Sequence, residues 1–156
     1  MLQVVLVSPE KVLYTGEAES VIARTLGGGD IAFLAGHSPF VGALDIGTVT
    51  IRTPGDVPDE VVAVHGGFVE VSSAPAGPDT VSGGEAPGSV TQVTILSDVA
   101  EMSGQIDVAR TEAAKEKAEA AVRDDPTDDE AVAALKRANA RLAVVGALEG
   151  SSTSAH

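Results

Sequence analysis

The sequence contains no cysteine and no tryptophan, and its only aromatic side chains belong to one Tyr and three Phe. Without cysteine the chain cannot use disulfide bonds, thiolate catalysis or cysteine metal ligands, so we expect a reducing compartment, the cytoplasm by default. With so few aromatics, a hydrophobic core must be built from Val, Ile, Leu and Ala.

Basic residues are also scarce. The chain has 10 Lys and Arg against 23 Asp and Glu, a formal net charge of −13. In residues 1–96 the only basic side chains are Lys11, Arg24 and Arg52. Because a phosphate backbone attracts a basic surface, we exclude nucleic-acid binding and expect a basic protein partner instead.

Long hydrophobic runs are missing as well. The apolar runs fall far short of the roughly 20 residues that a membrane-spanning helix needs. The N-terminus lacks the charged start and cleavage site of a signal peptide. We therefore expect no direct membrane insertion, and any contact with a membrane would go through another protein.

The composition changes at Ser97. Residues 1–96 hold fourteen of the 17 Gly and seven of the 8 Pro, whereas residues 97–156 hold seven of the 10 Lys and Arg. This change predicts two domains, at residues 1–97 and 98–149, followed by a disordered tail at 150–156.

Short runs rich in β-branched residues alternate with Gly and Pro turns in the first part of the chain. Many such strands without intervening helices predict a β-sandwich of about ten short strands. The recognisable strands are residues 2–7, 11–14, 20–25, 31–34, 48–52, 61–65, 68–71 and 90–96. Residues 73–89, rich in Pro, Gly, Ser and Ala, are predicted to form a flexible surface loop.

The second part of the chain is rich in alanine and has charged residues at helical spacing. Oppositely charged side chains three or four positions apart predict a first helix over residues 105–124. Asp125-Pro126 should end it, because proline disfavours helical geometry at the preceding residue. Thr127 followed by Glu130 has the spacing of a capping box, which predicts a second helix running to about residue 148.

The second helix carries apolar residues at alternating spacings of four and three, which is typical of a coiled-coil seam. They are Ala131, Leu135, Ala138, Leu142 and Val145. We therefore predict an antiparallel two-helix hairpin whose alanine-rich interface is thin and loosely held.

The sequence carries no recognisable catalytic or metal-binding motif. His37 and His65 lack the further ligands that a tetrahedral metal site needs. No nucleophile and base can be paired, which argues against an enzyme. Residues 27–30 form a Gly-rich run, but no Lys-Ser/Thr pair follows and no helix begins there, so a tight turn between strands is predicted.

One polar cluster has two interpretations. Arg137 and Arg141 lie four residues apart on the second helix, and a folded hairpin would bring Arg110 and Asp107 close to them. Three guanidinium groups beside an alanine-lined groove could clamp a phosphate. The alternative is a solvated helix face on which each arginine pairs with a nearby carboxylate.

Five segments, taken in order, resemble the ε subunit of F-type ATP synthases. VSPEKVLYTGEAESV resembles its opening hairpins, and GGDIAFLAGHSPFVGAL its conserved Gly- and His-containing segment. HGGFVEV with VTILSDVAE resembles a later strand pair, and IDVAR and ALKRANARLAV its two C-terminal helices. The segments span residues 7–21, 28–44, 65–71 with 93–101, 106–110 and 134–144.

This resemblance implies a non-catalytic rotor subunit of the central stalk, peripheral on the cytoplasmic face of the plasma membrane. Its sandwich would bind the γ subunit and sit on the c-subunit ring, coupling the two in proton-driven ATP synthesis. Asp30 and His37 match positions that face the ring. The hairpin would fold against the sandwich or extend along γ into the α/β catalytic hexamer, where it restrains ATP hydrolysis.

Some members of that family hold a regulatory ATP on the folded hairpin, with no cofactor required for function. The matching positions here are Glu101, Ile106, Asp107, Arg110, Lys117, Arg137 and Arg141. Thr111 stands where the family motif has Ala. Two other functions stay open, a free-standing ATP sensor and an adaptor with a coiled-coil arm.

Overall fold

The computed structural model describes residues 1–75 and 89–153, which contain eight β-strands, one 3₁₀ turn and two α-helices. The strands are β1 Leu2–Val7, β2 Val12–Ala18, β3 Ser20–Thr25, β4 Gly29–Leu34, β5 Phe40–Arg52, β6 Glu60–Pro75, β7 Ser89–Leu96 and β8 Ala100–Met102. A 3₁₀ turn at Ser103–Gln105 leads to α1 Val108–Asp124 and α2 Asp129–Thr153. The predicted β-sandwich with a C-terminal hairpin is confirmed, but the count of about ten strands was wrong.

The count differs because two strands are long. Strand β5 has 13 residues and β6 has 16, so the predicted runs 61–65 and 68–71 are parts of one strand. The glycines between those runs, Gly66 and Gly67, continue the strand with positive φ angles instead of making a turn. A short additional strand, β8, pairs with β6 and was not predicted.

The strands follow one another in the order β2-β1-β7-β6-β5-β3-β4, with β8 joined to β6. Val64 and Val69 of β6 are both buried, although residues five apart should face opposite sides of a regular strand. The alternation of core-facing and outward-facing side chains along β6 therefore changes phase at Gly66 and Gly67. Both halves of the bent β5–β6 pair contribute to one core of Val, Leu, Ile, Ala and Phe33 side chains.

The boundaries of the predicted loop and tail need correction. Residues 73–75 and 89 belong to β6 and β7, so they are strand rather than loop. The rest of the predicted loop, 76–88, lies outside the described residues. Helix α2 continues to Thr153, past the predicted tail boundary at residue 150, and residues 154–156 lie outside the described part of the chain.

Helix α1 begins later than predicted. Its N-cap is Asp107, whose carboxylate accepts a hydrogen bond of 3.0 Å from the backbone N–H of Arg110. This caps one of the free N–H groups that every helix start exposes. The predicted starting residue, Gln105, belongs to the preceding 3₁₀ turn. The helix ends at Asp124, as the Asp125-Pro126 signal predicted.

The predicted capping box of the second helix was wrong. Helix α2 begins at Asp129, so Thr127 lies one position before the N-cap, and its hydroxyl donates to the carboxylate of Asp125 at 2.6 Å. Asp128 takes that role, because its carboxylate accepts hydrogen bonds from the backbone N–H groups of Glu130 and Ala131. An Asp one position later offers the same acceptor chemistry.

The hairpin is folded against the sheet. Helix α2 contacts α1 on one side and strands β5 and β6 on the other. Ala131 and Ala138 of the predicted seam are buried. On the sheet side Ala140 and Val144 pack on Ala63 of β6. These contacts are made by small side chains, so the predicted thin interface extends to the hairpin's contact with the sandwich.

Candidate ligand-binding cleft between hairpin and sheet

A cleft of about 340 Å³ lies where the start of α1 meets α2 and the end of β8. The 3₁₀ turn and the N-cap of α1 form its floor, and the first two turns of α1 face an arginine from α2. The lining residues are Glu101, Gln105, Ile106, Asp107, Arg110, Thr111, Ala114 and Arg141.

Glu101 joins the two domains. One of its carboxylate oxygens, Oε1, accepts hydrogen bonds from His65 Nε2 and Arg141 Nε, both at 2.8 Å. Burial favours a raised pKa for this carboxyl, but the hydrogen bonds from Arg141 and His65 and the positive charge of Arg141 outweigh it and hold the pKa of Glu101 below its ordinary value. Glu101 is therefore ionised at neutral pH and holds α2 against the sheet.

His65 is the buried member of this group. Its side chain is 5% exposed, and its second ring nitrogen, Nδ1, has no hydrogen-bond partner among the described residues. Burial lowers the pKa of His65; the hydrogen bond to Glu101 and the negative charge of Glu101 oppose this shift, and the charges of Arg141 and Arg137 add to it. The imidazole is therefore neutral, with the Nε2 proton donated to Glu101.

Asp107 and Thr111 are already satisfied within α1. Asp107 caps the helix, and the Thr111 hydroxyl donates to the Asp107 carbonyl oxygen at 2.7 Å. Thr111 stands where the motif resembled by residues 106–110 continues with Ala, and it is buried. Because its hydroxyl donates to Asp107, it leaves no unpaired polar group in the cleft. The substitution is compatible with the local fold.

Two arginines, Arg110 and Arg141, line the cleft together with the carboxylates of Glu101 and Asp107. Arg110 has no salt-bridge partner among the residues that the structure describes, and it projects from the first turn of α1. The N-terminus of a helix carries a partial positive charge that favours anions. Arg110, the start of α1 and Arg141 together suit a phosphate-bearing ligand better than a cation.

Two of the predicted binding residues do not line the cleft. Arg137 donates to Glu130 on its own helix at 2.7 Å. Lys117 lies seven residues after Arg110 on the same face of α1, about 10 Å further along at ~1.5 Å per residue. The structure thus brings together Glu101, Ile106, Asp107, Arg110 and Arg141, and leaves Arg137 and Lys117 at a distance.

The two predicted partner contacts also lie apart. Asp30 is the second residue of β4 and forms a salt bridge of 2.9 Å with Arg24 across the β3–β4 hairpin. His37 lies three residues past the other end of β4, where its ring packs edge-on against Phe33. The Gly27–Gly29 segment is the predicted tight turn, but it does not bring His37 near Asp30.

Asp30 lies instead at the mouth of a second cleft, of about 400 Å³, between β5 and α2. There Lys136 of α2 approaches Asp45 of β5 with an N–O distance of 3.6 Å. This second ion pair between the helices and the sheet is more exposed than the one at Glu101. At such exposure it contributes only about 0–1 kcal/mol to docking.

The burial of His65 and its hydrogen bond to Glu101 were not predicted from the sequence, which offered His65 only as a possible metal ligand. One signal was present, because Val61, Ala63 and His65 alternate along one strand and share a face. Two apolar residues on the outer face of a strand indicate that another element packs against it, and in the structure that element is α2. Within the described ranges no group of three or more His, Asp or Glu side chains could hold a metal ion.

Within residues 1–75 and 89–153, neither α-helix combines the length and the apolar character needed to cross a bilayer.

The fold and the cleft define a class of two-domain proteins, in which a β-sandwich carries a docked helical hairpin with a polar cluster at the junction. Both parts match family models of the ATP synthase Delta/Epsilon chain, the β-sandwich domain over residues 1–75 and the long α-helix domain over residues 105–146. The chain belongs to the ATP synthase epsilon chain family.

Relatives named ATP synthase epsilon chain match along nearly their whole length. The protein of Bacillus pumilus is 39% identical over 147 residues, covering 93% of this chain and 97% of the relative. The protein of Moorella thermoacetica is 39% identical over 150 residues, covering 94% and 98%. The protein of Streptomyces griseus is 36% identical over 146 residues, covering 92% and 94%.

A solved structure shares the fold. A chain in the cryo-EM structure of the Euglena gracilis mitochondrial ATP synthase, OSCP/F1/c-ring in rotational state 1, superimposes with a TM-score of 0.60. The alignment covers 96% of this chain and 79% of that chain at 21% sequence identity. At this identity the similarity concerns the fold.

Proposed function

We propose that this chain is a non-catalytic subunit of the ATP synthase central stalk, which couples the γ subunit to the c ring in proton-driven ATP synthesis. Its hairpin regulates ATP hydrolysis by leaving the sheet and extending into the α/β hexamer. The subunit works as a peripheral component on the cytoplasmic face of the plasma membrane. Membership of the epsilon chain family supports each of these points.

The observation that carries the regulatory part is the way in which the hairpin docks. Small side chains make the apolar contact, with Ala140 and Val144 on Ala63. The Arg141–Glu101 and Lys136–Asp45 ion pairs complete the polar contact. An interface of this size supports a free-energy gap of a few kcal/mol, which another binding partner can overcome.

An exposed apolar strip on the sheet supports the binding of γ. Phe68 of β6 lies directly opposite Leu96 of β7, and Val41 of β5 is its diagonal neighbour on the same face. Their exposed fractions are 57%, 45% and 73% in that order. Exposed apolar side chains grouped on a sheet mark an interaction surface, and they lie away from the strand segment that α2 covers.

Contact with the c ring is proposed for Asp30 and His37. Because they lie near opposite ends of β4, the two contacts would have to be made at separate points of the sandwich. The Arg24–Asp30 salt bridge leaves Asp30 more than half exposed and accessible to a partner.

The test is to lock the hairpin. The chain has no cysteine, so Asp45→Cys with Lys136→Cys introduces one selective pair that a short thiol cross-linker can join. Locked and unlocked full-length chains are added to an epsilon-depleted catalytic assembly that contains γ, and binding and ATP hydrolysis are measured. We expect both forms to bind and only the unlocked form to slow hydrolysis.

Chains with a single cysteine at either position, treated with the same reagent, are the controls. If locked and unlocked chains inhibit equally, hairpin release has no part in regulation. Failure of both forms to bind γ would instead favour the two alternatives. A free-standing ATP sensor binds nucleotide without any affinity for γ, and an adaptor with a coiled-coil arm associates through its hairpin.

A regulatory ATP in the cleft is the second candidate function, supported by the group formed by Arg110, Arg141 and the start of α1. A nucleotide bound there would contact both helices and strengthen docking. Calorimetric titration of the full chain with ATP tests this directly. We expect Arg110→Ala to weaken binding at least tenfold, whereas Arg123→Ala, at the other end of α1, leaves it unchanged. Equal effects of the two variants would remove the site.

A further inference from the structure

His65 lies beneath the helical hairpin at the point where three elements meet. Its Nε2 donates to Glu101 of β8, and Arg141 of α2 donates to the same carboxylate oxygen. The side chain shares a face of β6 with Ala63, on which Ala140 and Val144 of α2 pack. The imidazole therefore lies between Glu101 of β8 and the part of the sheet on which the docked hairpin packs.

The unpartnered nitrogen of His65 makes this position sensitive to protonation. Nδ1 is buried and has no acceptor among the described residues. A second proton would place an unsatisfied N–H donor there, together with a positive charge, and a buried site disfavours both. Such a charge is tolerated only where it is solvated or paired.

The charged groups around His65 come from two elements. Strand β8 offers Glu101, while α2 offers Arg141 and Arg137, whose charges disfavour an imidazolium. On β5 the cross-strand neighbour is Ile46, which is apolar. The negative charge of Glu101 favours an imidazolium, whereas burial and the charges of Arg141 and Arg137 oppose it and together outweigh Glu101. A proton on Nδ1 would also find no acceptor among the described residues.

We propose that His65 is a pH-sensitive latch, whose protonation releases the hairpin from the sheet. When the hairpin leaves, the imidazole moves away from Arg137 and Arg141, so the undocked form accepts the proton more readily. Acidification below pH 6.5 therefore shifts the equilibrium towards the undocked form. In the proposed function, the undocked form is the one whose hairpin extends into the α/β hexamer. Only this connection between undocking and regulation rests on the proposed function.

The direction follows from proton linkage. The pKa of His65 is lowered in the docked form and returns towards its ordinary value on release, so docking is complete above pH 6.5 and weakens as the pH falls. One proton changes the docking equilibrium constant by up to about tenfold per pH unit. Glu101, with a pKa below its ordinary value of 4.5, stays ionised in this range.

The experiment measures docking in the isolated full-length chain. Glu70→Cys on β6 and Glu116→Cys on α1, both exposed positions, carry a donor and an acceptor dye. Energy transfer is then recorded between pH 7.5 and 5.5. We expect it to fall with pH in the wild-type background. We also expect it to stay constant with His65→Gln, because Gln keeps an N–H for Glu101 but cannot take up a proton.

His37→Gln is the matched control, because this other histidine lies beside Phe33, away from α2. We expect it to retain the wild-type pH dependence. Unchanged transfer in the wild type between pH 7.5 and 5.5 would overturn the latch, and so would the same pH slope in His65→Gln and the wild type. The measurement needs no partner subunit, so its failure is distinct from failure of the proposed function.

A second measurement covers the case in which His65→Gln does not dock at any pH. The ring proton signals of His65 in the wild-type chain are followed by NMR across the same range. A titration midpoint below 6.5 that coincides with the loss of energy transfer supports the latch. Protonation of His65 without any change in energy transfer refutes it.

Discussion

A single residue, Glu101, connects the β-sandwich to the helical hairpin. Its carboxylate accepts hydrogen bonds from His65, 36 positions earlier in the chain, and from Arg141, 40 positions later. The backbone segment around Glu101 pairs with β6, so the carboxylate is held in place before the hairpin docks. Charge-assisted hydrogen bonds of this kind are stronger than neutral ones.

Glu101→Gln tests that contribution. A neutral amide cannot accept charge-assisted bonds from both donors, so we expect the free energy of unfolding to fall by about 1–3 kcal/mol at pH 7. Urea unfolding measures the difference. Since the pKa of Glu101 is lowered in the folded chain, the difference should shrink as the pH falls through and below 4.5.

Glu112→Gln, at an exposed position on α1, is the control for the loss of one negative charge. It should change the free energy of unfolding by no more than about 0.5 kcal/mol. If the two variants behave alike, Glu101 does not secure the hairpin.

Gly67 permits the bend of β6. Its φ of 125° is a conformation that side chains rarely adopt, and a Cβ there would overlap the carbonyl oxygen of Leu96. We expect Gly67→Ala to lower the free energy of unfolding by more than about 2 kcal/mol. Gly104→Ala, where no neighbour lies within 4 Å, should be close to neutral. Thermal unfolding of both variants makes the comparison, and similar losses would contradict this role.

Helix α2 is the element that packs on two surfaces at once, with α1 on one face and strands β5 and β6 on another. Ala131 and Ala138 are buried on the helical seam, while Ala140 and Val144 face the sheet. A helix between two surfaces can approach both closely only if its side chains are small. The alanine-rich sequence of α2 therefore serves docking as well as helix formation.

Ala140→Leu should separate docking from folding. The larger side chain cannot fit between α2 and Ala63 without shifting the helix, so we expect the hairpin to undock while the β-sandwich remains folded. Hydrogen exchange measured by mass spectrometry should show faster exchange in α2 and unchanged protection in β1 and β7. Ala147→Leu, on an exposed part of α2, is the matched control. Loss of protection throughout the chain would contradict the division into two units.

The elements also show which sequence signals were reliable. The limits of β1 and β3 and the end of α1 at Asp124 agree with prediction, because alternation and the Asp125-Pro126 signal are local. The start of α2 was misassigned because Thr127 and Asp128 are both good capping residues. The backbone N–H groups of Glu130 and Ala131 donate to Asp128, which makes Asp128 the N-cap.

At the scale of the whole molecule, the two ends of the bent sheet have different surfaces. One part of β6 is covered by α2, while the part beyond Gly67 exposes Phe68 beside Leu96. The hairpin and a partner on the apolar strip therefore need not compete for the same surface.

Phe68→Ser tests that strip. An exposed aromatic side chain contributes little to folding but much to an interface, so we expect the affinity for γ to fall roughly tenfold or more. The melting temperature should stay nearly unchanged. Val57→Ser, at a similarly exposed position between β5 and β6, should leave the affinity intact. Equal losses of affinity in both variants would show that the strip is not the γ contact.

The sequence by itself determined the classes of the strands and helices, the tight turn at residues 27–29 and the end of α1 at Asp124. These depend on composition, on local periodicity and on motifs that resemble a known family. Only the tertiary structure decided that β5 and β6 each continue as one long strand and that Asp30 and His37 lie apart. It also decided the docked hairpin and the burial of His65. The physical reason is distance along the chain: these features depend on how sheet and helices pack, and no local pattern specifies that packing.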